Sequence, residues 1–377
     1  MLAIAANTFD KPSETFIRAH VSHIAPGQTV LICREDGGAA QFGCPVLSDV
    51  AALPRPRHLT ERVTNDFRRA WRKSVDPAAS GRDEARVRAF FQRHGVTAVL
   101  AEFGPNGALL RRACKRAGVP LYVHFHGFDA TKLARKPSWR RHYRRLFRDA
   151  AGIIVPSRFL AERVRDLGCP DQKLHVSPNG IELANFSPTT REPGRILATS
   201  RLVPGKGPLQ TIEAFQRVRQ RIPGVTLEFI GDGELMQDCV RRAETLGVAD
   251  AVTFHGAQPS AQVAEQMARA SLFVQHSVTS QEGWTESFGI TFLEAAASEV
   301  PVVATRSGGI VETVADGETG LLVEEHDVDG MADAMCALLE DPARAEAMGR
   351  AGRARVEAHF THEKTAARLR EIMGLTC

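Results

Sequence analysis

What the sequence lacks narrows it first. No apolar run approaches the roughly 18 residues that a membrane-crossing helix needs. The seven cysteines, at 33, 44, 114, 169, 239, 336 and 377, are odd in number and contain no C-x-x-C pair. That argues against a disulfide frame or a zinc ribbon and fits a reduced, cytoplasmic setting. No Gly-x-Gly-x-x-Gly follows the first apolar run, so the dinucleotide fingerprint is missing. There is no low-complexity tract and no short internal repeat. The opening MLAIAANTF lacks the charged start and apolar length of a signal peptide and reads as a first buried strand.

What is present is an alternation. The chain has 377 residues, which implies two domains. Short apolar runs read as strands at Leu2–Ala6, Thr29–Cys33, Ala98–Ala101, Leu121–His124, Gly152–Val155 and Lys173–Val176. A second set lies at Arg195–Thr199, Thr226–Ile230, Val252–Phe254, Leu272–Gln275, Val300–Ala304 and Gly320–Val323. Helical periodicity fills the gaps, as in Asn106–Ala117, Ser157–Leu167, Leu209–Arg219, Glu234–Leu246 and Ser260–Arg269. Strands alternating with helices imply parallel sheets. The turn-rich stretch SPNGIELANFSPTTREPG, Ser177–Gly194, marks a boundary. The fold expected is α/β, with two doubly wound parallel-sheet domains facing across a cleft, and ligands bind beyond the carboxyl ends of such strands. The organisation expected is a first domain over 1–185 and a second over 186–360. Residues 361–377 would form a helix packing back toward the first domain.

Charge is uneven. Residues 1–188 hold 30 Lys and Arg against 17 Asp and Glu, whereas 189–377 hold 18 against 27. The first half therefore suits an anionic partner. Two basic stretches stand out. One runs from Arg55 to Arg93, with Phe67, Trp71, Phe90 and Phe91 among its arginines. The other, RKPSWRRHYRRLFR (135–148), spaces Trp139, Tyr143 and Phe147 four apart. An aromatic stripe between cations suits a membrane interface; the plainer reading is that the aromatics are core and the arginines solvated. No nucleic-acid-binding module is visible.

Five motifs carry chemistry. In GWTESFGITFLEAAASEV, Glu286 precedes an apolar helix and Glu294 lies inside it. A helix N-terminus offers free N–H groups and a positive dipole end, and Gly289 lets a ligand approach the backbone. A phosphate there, with hydroxyls beside Glu286 and others beside Glu294, describes a sugar nucleotide. ATSRLVPGKG sets Arg201 and Lys206 in a glycine-bounded loop after a strand, which suits a diphosphate. VHFHGFDAT places His124 and His126 at a strand end, followed by Asp129; no third metal ligand is evident from the sequence. GDGEL supplies Gly231 and Asp232 in a strand-to-helix turn. In HDVDG, Asp327 reads as a helix N-cap rather than half of a metal pair. Each has a plain alternative: Glu286 as a cap, Glu294 paired with an arginine, the cations solvated, the histidine in a turn.

From about Ala150 onward the chain resembles the retaining glycosyltransferases of family 4, of the two-domain GT-B type. The carriers are VPSRFLAERV, VSPNGIEL, SRLVPGKG, FIGDGEL, FHGAQP and ESFGITFLEAAASEVPVVATRSGGIVETVADGETGLLV. FDKPSETFIRAHV and HFHGFDAT look like the subgroup that builds bacterial exopolysaccharides. The resemblance implies that Glu286 contacts the donor sugar and Glu294 the ribose, and that Arg201 and Lys206 hold the diphosphate. It implies phosphate contacts from Ser287, Phe288, Gly289 and Ile290, a base bordered by the loop of His255 and Gly256, and His126 near the reacting carbon. The usual glycine-rich loop after the first strand is replaced by NTFDKPSETF, so Lys11, Ser13, Glu14 and Thr15 are expected, with Asp129, on the acceptor side.

The activity so implied is retaining transfer of a sugar from a UDP- or GDP-sugar to a glycan or polyprenyl-diphosphate-linked acceptor, as in cell-surface polysaccharide synthesis. No metal or other cofactor and no nucleic acid is expected, and an anionic membrane surface is an expected partner. The rival readings are a GT-B sugar-nucleotide epimerase, which would turn over donor without acceptor, and a non-catalytic homologue acting as a scaffold.

Overall fold

The structure, a computed structural model, describes residues 1–11, 14–50 and 81–375. Ser13 and the part of the Arg55–Arg93 segment up to residue 80, with Phe67 and Trp71, lie outside the described residues. The chain divides into two compact units, Met1–Ser177 with Ala366–Cys377, and Pro178–Thr365.

In the first unit the elements are β1 (Leu2–Ala6), α1 (Thr15–His23), β2 (Thr29–Cys33), β3 (Val46–Leu47), α2 (Gly81–His94), β4 (Ala98–Glu102), α3 (Gly104–Ala117), β5 (Leu121–His124), α4 (Pro137–Asp149), β6 (Gly152–Val155), α5 (Arg158–Asp166) and β7 (Leu174–Val176). The sheet runs β3-β2-β1-β4-β5-β6-β7, and every pairing is parallel. All five residues of β1, of β2 and of β4 are buried. That is why these strands appear as unbroken apolar runs rather than as alternation. Strand order reverses between β1 and β4, the position beside which open parallel sheets commonly form their ligand crevices.

In the second unit the elements are β8 (Arg195–Thr199), α6 (Pro208–Arg221), β9 (Thr226–Ile230), α7 (Met236–Thr245), β10 (Val252–Phe254), α8 (Ser260–Arg269), β11 (Leu272–Gln275), α9 (Ile290–Ala297), β12 (Val302–Thr305), α10 (Ile310–Thr313), β13 (Gly320–Val323), α11 (Val328–Leu339) and α12 (Pro342–His359). Its sheet runs β10-β9-β8-β11-β12-β13, again all parallel, with the reversal between β8 and β11. Asp327 caps α11, accepting the Gly330 N–H at 2.8 Å. The last helix, α13 (His362–Met373), starts in the second unit and ends in the first. There Arg370 donates to the carbonyls of His23 and Ile24 at 2.8 and 3.1 Å.

The aromatic stripe of α4 is resolved in favour of the plainer reading. Tyr143 and Phe147 are fully buried and Trp139 packs against the same core. The amphipathic pattern fixes that they share one face, and that face is interior. The opposite face carries exposed Arg140, Arg141, Arg144 and Arg148. In α2, likewise, Val87 and Phe91 enter the core. No described helix is long and apolar enough to cross a membrane.

Candidate functional site

In the second unit, three loops at the carboxyl end of the sheet are stitched together by glycines. After β8, Ser200 donates to Ile230 O at 3.0 Å and Leu202 to Asp232 O at 3.0 Å. Gly231, at φ +138°, sits where any Cβ would strike the Ser200 carbonyl. Its own N–H donates to Gly256 O at 2.8 Å. Asp232 is exposed and accepts the Gly233 N–H at 2.7 Å. His255 is held by Glu228 at 2.8 Å, and Glu228 takes two bonds from Arg195, both 2.7 Å. The Arg195 bonds, then His255, hold the Glu228 carboxyl below its usual range.

The β8 loop brings Lys206 to Glu286. The ammonium bonds Glu286 Oε2 and lies 5.5 Å from the centre of the Trp284 ring. Both side chains are largely buried. Gly205 exists because Trp284 occupies the space a Cβ would need, and Gly207, at φ +58°, because the His276 carbonyl does. His276 itself is buried, accepts the His326 N–H at 3.1 Å, and is pushed down to about 4 by burial and by His326. It is therefore a neutral acceptor. Arg201 is exposed beside this loop.

Glu286 is not the cap of α9. That position belongs to Gly289, at φ +88°, whose missing Cβ makes room for the Phe292 ring. None of the amides of Phe288, Gly289 and Ile290 donates to a described backbone carbonyl, so the helix start keeps its donors. The Phe288 side chain packs inward, onto Phe360. Ser287 lies between Glu286 and these amides, and its carbonyl is packed against Gly309. The carboxylate of Glu294, half-buried in the next turn, has no hydrogen-bond or ion-pair partner among the described residues. Burial alone pushes its carboxyl up to about 7. Its oxygens keep unused hydrogen-bonding capacity.

Two features of this unit escape the sequence reading. The Trp284 ring lies against the Lys206 ammonium. Gly308 and Gly309, in the loop after β12, lie where a Cβ would collide with the carbonyls of Glu286 and Ser287. Gly309 N–H also donates to Glu286 O at 2.9 Å. The Gly-Gly pair after a strand was the available signal.

In the first unit, Lys11 and Glu14 pair at 3.1 Å ahead of Thr15, the first residue of α1. Asp129 is fully buried, and its carboxylate accepts the N–H groups of Gly104, His126, Gly127 and Ala130 at 3.0–3.1 Å. It organises the loop after β5 and presents no surface to a ligand. His126 Nε2 lies 2.7 Å from Glu102 Oε2, and its ring packs against Phe16 and Phe103 at 4.2 and 4.7 Å between centres. His20, Glu102 and His124 hold ligand atoms within 4.8 Å of one another, a group of metal-binding composition. Both Glu102 oxygens are already engaged at hydrogen-bond distance by His20 and His126.

Comparison with known proteins now decides the family. The description "Glycosyl transferases group 1" matches residues 182–355, and "Glycosyltransferase Family 4" matches 26–185. A GDP-mannose-dependent alpha-(1-6)-phosphatidylinositol monomannoside mannosyltransferase of Mycolicibacterium smegmatis is 35% identical, across 74% of this chain and 75% of its own. The chain belongs to glycosyltransferase family 4. It is a transferase enzyme. The putative colanic acid biosynthesis glycosyltransferase WcaL of Escherichia coli K12 is 29% identical, across 63% of this chain and 60% of its own. Among solved structures, Anabaena Alr3699/HepE in complex with UDP covers all of both chains with a TM-score of 0.80 at 20% identity. Both α/β units, with seven and six parallel strands, match GT-B glycosyltransferase structures.

Proposed function

We propose that this glycosyltransferase moves a sugar from a nucleoside-diphosphate sugar to a hydroxyl of a glycan or lipid-linked acceptor, retaining the anomeric configuration. The observation that carries the reading is the second unit's loop cluster. Two carboxylates with different surroundings and free amides follow one another along α9 and its approach, and the loop after β8 brings cations, with Lys206 bonded to Glu286 and Arg201 exposed in the same loop. The diphosphate charge is met by Arg201, Lys206 and the amides. Glu286, already ion-paired, accepts from hydroxyls of the donor sugar. Glu294, unpaired and half-buried, accepts from the ribose. Transfer breaks the bond from the anomeric carbon to the diphosphate oxygen and forms the new glycosidic bond on the same face. The departing diphosphate takes the proton of the attacking hydroxyl, so no protein nucleophile is needed. The residues themselves neutralise the charge, and a metal is not required. The relatives named above are GDP-mannose-dependent in one case and bound to UDP in another, which supports a sugar nucleotide without choosing the base.

The acceptor side belongs to the first unit, and its partner is an anionic lipid-linked glycan at a membrane surface. The support is the arginine face of α4. The test is a panel of UDP- and GDP-sugars, each with and without polyprenyl-diphosphate-linked acceptor, with the product anomer read by NMR. Transfer with retention in at least one pairing is expected. Inverted product, or donor turnover that needs no acceptor, overturns the reading.

A further inference from the structure

Glu102, the last residue of β4, has no exposed surface, and no lysine or arginine among the described residues pairs with it. A buried carboxylate needs a compensating positive charge. Its neighbours are imidazoles: Oε1 lies 2.7 Å from His20 Nδ1, on α1, and Oε2 lies 2.7 Å from His126 Nε2, after β5. A proton on one of those rings would meet the charge. It would not account for His124.

His124 ends β5 and is the register partner of Glu102 across the β4–β5 ladder. Register partners leave a sheet on the same face, so the two side chains stand together. His124 is fully buried, and its Nδ1 comes to 3.7 Å from Glu102 Oε2, beyond hydrogen-bond reach. Neither of its ring nitrogens has a hydrogen-bond partner among the described residues. An imidazole carries a donor or acceptor at each nitrogen, and burying both unmet is costly. His20 stacks on this ring with 5.4 Å between centres, and its Nε2 is likewise buried without a hydrogen-bond partner. His20 sits on the buried side of α1 with Phe16, Ile17 and Val21.

One occupant answers both the unmet charge and the unmet nitrogens. His20, Glu102 and His124 come from three segments, and each offers a ligand atom within 4.8 Å of the others. Two imidazole nitrogens and one carboxylate oxygen form a mixed set that suits zinc; magnesium and calcium ask for shells built of oxygen. Ligand atoms about 2.0–2.1 Å from a tetrahedral zinc stand about 3.3 Å apart, so the 2.7 Å contact of His20 with Glu102 opens by about 0.6 Å on loading. The bond from His126 to Oε2 is the kind of outer partner that a ligating carboxylate commonly keeps.

We propose that His20, Glu102 and His124 hold one divalent zinc ion, which staples α1 to the ends of β4 and β5. The ion takes the place of the proton shared by His20 Nδ1 and Glu102 Oε1, and that proton is released to solvent. Three protein ligands leave a fourth position for water. The ion is structural: it takes no part in the diphosphate chemistry, whose residues lie in the second unit.

The test uses the full chain, produced without a histidine tag in zinc-replete medium, with bound metals counted by mass spectrometry. About one zinc per chain is expected. His20→Ala and His124→Ala should each lose most of it, whereas His362→Ala, outside the cluster, should keep it. Stripping the native chain with a chelator should lower its melting temperature by about 5–10 °C, the shift expected of a ligand a hundredfold above its Kd, and added zinc should restore it. If neither cluster variant folds, the native chain grown with cobalt in place of zinc decides: a buried four-coordinate site gives strong visible absorption. A native chain that carries no zinc and takes up none overturns the proposal. So does zinc that stays in both H20A and H124A, zinc lost only in H362A, or a cobalt form with the weak absorption of a six-coordinate, solvated ion.

Discussion

Glu294→Gln should make this protein more stable and a poorer binder. The Glu294 carboxyl moves from 4.5 to about 7 because the fold removes water from it and supplies no partner. At about 1.4 kcal/mol per pH unit, that displacement sets a ceiling of about 3 kcal/mol on the cost of ionising it in the fold. The side chain keeps part of its surface exposed, so ~1–2 kcal/mol is the better figure. The sign follows from an acid whose folded pKa is raised. The cost is absent below pH 4.5, grows between 4.5 and 7, and is complete above 7. Gln mimics the neutral acid at every pH. The variant should therefore melt close to the native protein at pH 4, and about 2–8 °C higher at pH 8, at roughly 2–4 °C per kcal/mol. Differential scanning fluorimetry at the two pH values reads this. Nucleotide titration of the same samples should show weaker binding by about 1–3 kcal/mol, since hydroxyls donating to a carboxylate make charge-assisted bonds. Native affinity should rise with pH through 7. Equal melting at pH 8, or undiminished affinity, would refute the reasoning that the fold tolerates this carboxylate for a ligand.

Three further outcomes follow from the same geometry. Arg201→Ala or Lys206→Ala should weaken nucleoside-diphosphate binding by about 1.5–3 kcal/mol in calorimetry; K206A should also lower the melting temperature, because Glu286 is left buried without its cation. Gly308→Ala places a methyl against the Glu286 carbonyl at φ +55°, so it should destabilise the second unit by ~1–3 kcal/mol in urea and reduce turnover. Reversing Arg140, Arg141 and Arg144 to Glu should abolish low-salt co-sedimentation with anionic vesicles while leaving nucleotide affinity unchanged.

Strands such as β1, β2 and β4 were legible because they are buried on both faces and so write themselves as apolar runs; among the described strands β3, two residues long, carries too little pattern to be read. The donor loops were legible because glycine, cations and carboxylates cluster within short spans there. The stripe of α4 was not, since helical period shows that Trp139, Tyr143 and Phe147 share a face and says nothing of what covers it. The Lys206–Glu286 pair spans 80 residues and the His20–Glu102 pair 82, and nothing local links either pair. Glu102 closes a strand that reads as wholly apolar before it, and its bonds to His20 and His126 join segments that nothing local links. Trp284 and the Gly308–Gly309 pair act through shape, packed against backbone from another loop.

The most direct measurement of the central claim is turnover by Glu286→Gln under saturating donor, with nucleotide affinity measured on the same protein. Glu286 sits with Lys206 just before α9, so its charge is assigned to the sugar rather than to the base. The expected result is transfer reduced at least about a hundredfold with nucleotide affinity within about threefold of native. Full transfer by the variant would contradict the assignment of Glu286 to the donor sugar, and with it the account of the site.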